Sequence, residues 1–211
     1  MSKESRIRGL YAIVDASYPD PAGLADKILA GRCCIIQLRS KKMPLSSFLS
    51  IAREVGAACR RKGALFIVND RVDVAIAAEA DGVHLGQDDL PLAEARRILG
   101  EGKIIGISTH CVEEAVSAGR DGADYIGFGP IYATQTKEDA HDPKGIYALK
   151  DIRNAVAIPV VAIGGIKREN ARQVMGAGAD AIAVISDIAE ADDVTKRTED
   201  IVKIMEEAYE C

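Results

Sequence analysis

Eight short apolar or β-branched runs recur along the chain, and each is followed by a stretch of helical periodicity. The runs span Gly9–Asp15, Cys33–Arg39, Ala64–Asp70, Gly82–Gly86, Ile104–Thr109, Tyr125–Ile131, Pro159–Ile166 and Ala181–Ser186. Several are continuously apolar, such as Ala64-Leu-Phe-Ile-Val, which predicts parallel strands buried on both faces. Between the runs, Val72, Ala75 and Ile76 recur at helical spacing, as do Leu92, Ala95 and Leu99. Pro44 and Pro91 suit first helical turns, whereas Gly63 and Gly100 suit C-terminal stops. The segments Ala80-Asp-Gly-Val, Gly122-Ala-Asp-Tyr and Gly178-Ala-Asp-Ala repeat one helix-to-strand junction.

Eight strand–helix units can close into a barrel or form an open doubly wound sheet. An open sheet usually carries its glycine-rich phosphate turn after the first strand. Here that turn reads Asp15-Ala-Ser-Tyr-Pro-Asp, without glycine, and the glycine pair follows the seventh run as Ile163-Gly-Gly-Ile. Barrels commonly bind phosphate in the loops after strands 7 and 8. The expectation is therefore an α/β chain forming one (β/α)8 TIM barrel over residues 1–211, with no linker or composition shift dividing it.

The net charge is −5 and no basic stripe is present, which argues against a nucleic-acid surface. Aromatics are 4% and Trp is absent, so a base-stacking platform is not expected either. The five cysteines show no CxxC pair, which points to reduced thiols and a cytoplasmic setting. Cys33 and Cys34 read as small core residues at the start of a strand. Neither a signal peptide nor a membrane span is expected. Assembly of this chain into a homo-oligomer is left open.

In a barrel, the C-terminal strand tips hold the site. Gln37, Arg39 and Lys41 alternate along one strand end, and their charges suit phosphate oxygens. Asp70 and Asp89 follow consecutive strands, which pair roughly 4.8 Å apart. Two carboxylates that share Mg²⁺ with substrate phosphate oxygens are a usual arrangement for that ion. For either Asp alone the favoured reading is a helix N-cap, and Asp89 before Leu90-Pro91 fits one well. For the pair, beside Asn69 and facing Arg39 and Lys41, the metal is favoured. The long segment Pro130–Gly145 offers Thr134, Thr136 and Lys137, suited to a diphosphate and to a lid. Gly164-Gly165 would let backbone N–H groups approach an anion, or would simply make a tight turn. Ser186 could cap the next element. His84 and His110 lie at strand ends as hydrogen-bonding pocket residues or structural ones.

In order and spacing these motifs resemble the thiamine phosphate synthase family over nearly the whole chain. The most specific stretches are Gln37-Leu-Arg-Ser-Lys41, Asn69-Asp70, His84-Leu-Gly-Gln-Asp-Asp89, Gly127-Phe-Gly-Pro-Ile-Tyr132 with Thr134-Gln-Thr-Lys137, and Ala162-Ile-Gly-Gly-Ile166. The resemblance implies an enzyme that joins an aminopyrimidine diphosphate to a thiazole phosphate, releasing diphosphate. It implies that Asp70 and Asp89 hold Mg²⁺. It also implies that Gln37, Arg39, Lys41, Asn69, Ser108 and Lys137 bind the pyrimidine diphosphate, with Arg39, Lys41, Ser108 and Lys137 acting on the leaving group. Thr134, Thr136, Gly165, Ile185 and Ser186 would hold the thiazole phosphate, the last three largely through backbone groups. A thiazole tautomerase shares the barrel but needs no diphosphate–metal set. A barrel that binds thiamine phosphate without turnover is the other alternative.

Overall fold

The computed structural model describes residues 6–134 and 142–209. Eight parallel strands close into a barrel in sequence order, each hydrogen-bonded to its neighbours and the last to the first. They are β1 (Gly9–Asp15), β2 (Ile35–Arg39), β3 (Leu65–Asn69), β4 (Gly82–Leu85), β5 (Ile104–Thr109), β6 (Tyr125–Phe128), β7 (Val160–Ile163) and β8 (Ala181–Val184). Helices α1 (Pro21–Ala30), α2 (Leu45–Lys62), α3 (Val72–Ala77), α4 (Leu92–Leu99), α5 (Val112–Arg120), α6 (Gly145–Ala155) and α7 (Ala171–Gly176) intervene. The short α8 (Ser186–Ala189) and long α9 (Val194–Tyr209) follow.

The continuous apolar runs are explained by two cores. Alternate residues such as Tyr11, Ile13, Ile35, Ile67 and Val161 fill the barrel interior. Their neighbours, such as Ala12, Val14, Ile36, Val68 and Ala162, face the surrounding helices. In α2 the buried residues Phe48, Ala52, Val55 and Cys59 form the apolar stripe that meets the sheet. Ile76, expected on the apolar face of α3, instead turns outward and is exposed. Cys33 is buried as expected, but Cys34 is exposed at the entry to β2, because the two residues alternate across the strand.

The repeated Asp junction is a set of strand clamps. Asp81, Asp124 and Asp180 each stand immediately before an even-numbered strand. Each accepts a backbone N–H from near the start of the preceding odd strand: Phe66 (2.9 Å), Ile105 (2.8 Å) and Val160 (2.8 Å). Arg96 and Arg153 donate to the latter two carboxylates at 2.6 and 2.7 Å. Beneath the barrel, Tyr209 of α9 donates to the Asp180 carbonyl and accepts from the Gly9 amide, joining the β8 entry to β1. Ile7, 1% exposed, completes the interior floor.

Pro44 and Pro91 sit at the N-cap positions, one residue earlier than a first turn, and Gly63 ends α2 in the left-handed conformation. Strand 6 stops at Phe128, short of the expected Ile131. The chain continues alongside β7, with Ile131 N–H donating to the Ile163 carbonyl and Tyr132 N–H to the Gly164 carbonyl. That pairing lays the segment after β6 against the glycine turn. Among the described residues, no helix is long and apolar enough to cross a membrane.

Candidate active site

The C-terminal strand tips surround one cavity of about 1070 Å³. Arg39, Lys41, Asn69, Asp70, Asp89, Ser108, Thr134, Gly165, Ile185 and Ser186 all line it. Thr136 and Lys137 lie outside the described residues. Gln37 does not line the cavity. It is 3% exposed and sits one layer deeper, inside the barrel.

Arg39 ends β2 opposite Asp15 of β1 in the strand register, and its Nη1 donates to Asp15 Oδ2 at 2.9 Å. The arginine side chain is 11% exposed and the aspartate 25%. The other Asp15 oxygen accepts from Ser17 N–H at 2.9 Å, so the carboxylate is anchored to the β1 loop while it holds the guanidinium. Sequence reasoning missed Asp15. Its signal was an acid at the tip of the first run, matched to the Arg39 charge only once the register is known.

Neither Asp70 nor Asp89 caps a helix. Helix α3 starts after Arg71 and α4 after Pro91, and neither has a side-chain cap. Asp89 instead accepts the Gly86 amide on Oδ2 at 2.7 Å, which holds the β4 exit loop. Asp70 lies in the left-handed region at φ 63°, a conformation uncommon outside glycine, while its N–H donates to the His84 carbonyl at 2.8 Å. Neither acid therefore occupies an N-cap position, which falls to Arg71 and Pro91. Among the described residues, no group of three or more His, Cys, Asp or Glu side chains forms a metal cage. Two carboxylates beside a cationic rim suit a hard cation that takes its remaining ligands from phosphate oxygens and water.

Across the cavity, Gly164 and Gly165 turn with φ of 100° and 63°. A Cβ on Gly165 would lie 2.6 Å from the Ala133 carbonyl oxygen and 2.7 Å from Tyr132 Cβ, so the close approach of the β6 segment requires glycine here. Ser186 is the first residue of α8 and not its cap, which is Ile185. Lys167, just past the glycine turn, also lines the cavity and was not picked out in the sequence.

Below the cavity floor runs a chain of polar side chains. Gln37 Nε2 donates to Tyr11 Oη at 2.7 Å, and Tyr11 Oη lies 2.8 Å from Tyr125 Oη. Tyr125 Oη is 3.0 Å from His84 Nδ1, and His84 Nε2 is 2.9 Å from Ser108 Oγ at the cavity wall. Gly106 and Gly127 make room: a Cβ on the first would meet Tyr125 Cζ at 2.1 Å, and on the second His84 Cε1 at 3.0 Å. Burial pushes both phenols well above the ordinary tyrosine range, so they stay protonated. His84 is thus a buried hydrogen-bonding residue. His110 lines the cavity itself, with its N–H and Nδ1 on Glu114 Oε2.

Residues 10–188 match the model of the family described as thiamine monophosphate synthase. The chain belongs to that family. It is 49% identical over 189 residues to a thiamine-phosphate synthase of Chloroflexus aurantiacus, covering 88% of this chain and 87% of the relative. It is 48% identical over 202 residues to that of Methanocella arvoryzae, covering 93% and 94%. The solved thiamine phosphate pyrophosphorylase of Pyrococcus furiosus superposes with a TM-score of 0.89 at 40% identity, covering 96% of this chain and 98% of the other. A thiamine monophosphate synthase family member with this cavity is a transferase, in agreement with the expectation drawn from its motifs.

Proposed function

We propose that this family member condenses 4-amino-2-methyl-5-hydroxymethylpyrimidine diphosphate with 4-methyl-5-(2-phosphoethyl)thiazole, giving thiamine phosphate and diphosphate. The observation that carries the reading is the sharing of one cavity by two anion grips. Arg39, Lys41, Asp70 and Asp89 line one side, and Gly165, Ile185 and Ser186 the other.

The difficult step is departure of diphosphate from the pyrimidine methylene, which leaves a ring-stabilised cation. Arg39, held by Asp15, and Lys41 face the charge that develops on the leaving group. Ser108 adds a hydroxyl at the same wall. Asp70 and Asp89 would hold Mg²⁺, which when bound supplies two positive charges to the diphosphate oxygens. The glycine turn and the start of α8 hold the thiazole phosphate so that its ring nitrogen meets the methylene carbon, which converts a bimolecular encounter into an oriented one. Thr134 at the base of the segment after β6 joins that grip, Thr136 would extend it, and Lys137 would bind the departing diphosphate. No covalent nucleophile is required. The acid pair at Asp70 and Asp89 favours the synthase over a thiazole tautomerase, which handles no diphosphate.

The test supplies both substrates with Mg²⁺ and follows thiamine phosphate and released diphosphate. Product formation that stops with EDTA and falls at least a hundredfold in Asp89→Ala is expected. Absence of product with substrates proven competent on a known synthase refutes the function, and turnover that persists in EDTA refutes the metal assignment.

A further inference from the structure

We infer that the buried chain beneath the cavity has a single hydrogen-bond direction, which holds His84 as the Nε2–H tautomer and turns the Ser108 hydroxyl into an obligatory donor toward the cavity. Tyr125 and His84 are then positioning residues that act through Ser108. The kinetic part of this inference rests on the proposed synthase reaction, whereas the tautomer does not.

The direction follows from the chemistry of the first link. The Gln37 amide nitrogen can only donate, so Tyr11 Oη accepts from it. Tyr11 carries one proton, and Tyr125 Oη at 2.8 Å is the acceptor available to it inside the barrel. A buried phenol proton left without an acceptor would carry its full desolvation cost. Having accepted from Tyr11, Tyr125 passes its own proton to His84 Nδ1 at 3.0 Å. That nitrogen must then be bare, and the ring proton sits on Nε2, which donates to Ser108 Oγ at 2.9 Å. Ser108 has accepted a bond from below, so its hydroxyl proton points to the cavity that it lines. Neither phenol can relax the order by ionising, because burial keeps both protonated.

The chain is built rather than incidental. Only glycine at position 106 leaves room for the Tyr125 phenol, since a Cβ there would fall 2.5 Å from its oxygen. A donor aimed into the cavity is worth most to an oxygen that gains negative charge, as the departing diphosphate does.

Two measurements test this. In ¹⁵N-labelled protein carrying His110→Gln and His141→Gln, His84 is the remaining histidine. Long-range ¹H–¹⁵N correlation then reads its tautomer directly. A bare Nδ1 with a protonated Nε2 is expected; the opposite tautomer, or a doubly protonated ring, overturns the inference whether or not the chain makes thiamine phosphate. The second measurement is a double-mutant cycle on kcat. Tyr125→Phe keeps the ring and removes the donor, and should lower kcat about tenfold, the effect of one directed hydrogen bond. In a Ser108→Ala background the same change should cost less than twofold, while Ser108→Thr keeps most of the sensitivity. Equal Tyr125→Phe losses in both backgrounds would mean that the phenol acts only through packing, and would overturn the positioning role.

Discussion

Exchange of Asp15 for Asn removes one charge from the Arg39 pair while keeping its shape and an acceptor for Ser17 N–H. Two unit charges about 4 Å apart attract by about 4 kcal/mol at an effective dielectric of about 20. The cost of desolvating both ions offsets most of that. Arg39 is 11% exposed and Asp15 25%, so solvent screens the remainder only in part. The expected net loss is about 1–2 kcal/mol in the ligand-free protein, a fall in Tm of about 4 °C for a domain of this size. If Arg39 grips diphosphate, the ligand then supplies the anion that Asp15 no longer does. Inorganic diphosphate with Mg²⁺ should therefore raise the Tm of Asp15→Asn more than that of the unmodified protein, by about 2–4 °C at saturating ligand. Thiazole phosphate, bound across the cavity, should raise both equally. Differential scanning fluorimetry over a ligand series reads all four shifts. An equal or smaller diphosphate shift in the variant would refute the idea that Arg39 is shared between Asp15 and the leaving group.

Gly165→Ala places a methyl 2.6 Å from the Ala133 carbonyl oxygen at a residue with φ of 63°. The segment after β6 must then shift, and the KM for thiazole phosphate should rise at least tenfold with little change in diphosphate affinity; steady-state kinetics with each substrate varied would show otherwise if both change alike. Burial pushes the Cys33 and Cys59 thiols up to about 12 from an ordinary 9.0. The folded state thus holds these protons more tightly, so their contribution to stability is fully present below pH 9 and is lost as pH rises toward 12. Denaturant midpoints should fall across that window, and Cys33→Ala with Cys59→Ala should flatten the fall; an unchanged slope counts against burial of the thiols as its source.

The barrel was legible in the sequence because its signals are local. A strand buried on both faces must be apolar at every position, and an amphipathic helix must repeat its apolar residues, whatever lies elsewhere in the chain. Gly9–Asp15 and Ile104–Thr109 coincide with observed strands for that reason. The polar tips were equally visible, since a charge such as Arg39 at the end of a buried run has no local structural excuse. Local reasoning also set a trap at Asp70 and Asp89, whose place before helices resembles capping. Only the folded loops separate them from that role, with one acid in a left-handed turn and the other on the Gly86 amide.

What the fold alone decided is contact across the closed barrel. Asp15 meets Arg39 through strand register, and Tyr11 meets Tyr125 from 114 residues away because β1 and β6 face each other across the interior. Gln37 shares the strand periodicity of Arg39 and Lys41, yet depth along β2 sends it to the tyrosines and not to the cavity wall. Period and composition specify which residues point inward. Closure and stagger determine which of them meet, and those are properties of all eight strands together.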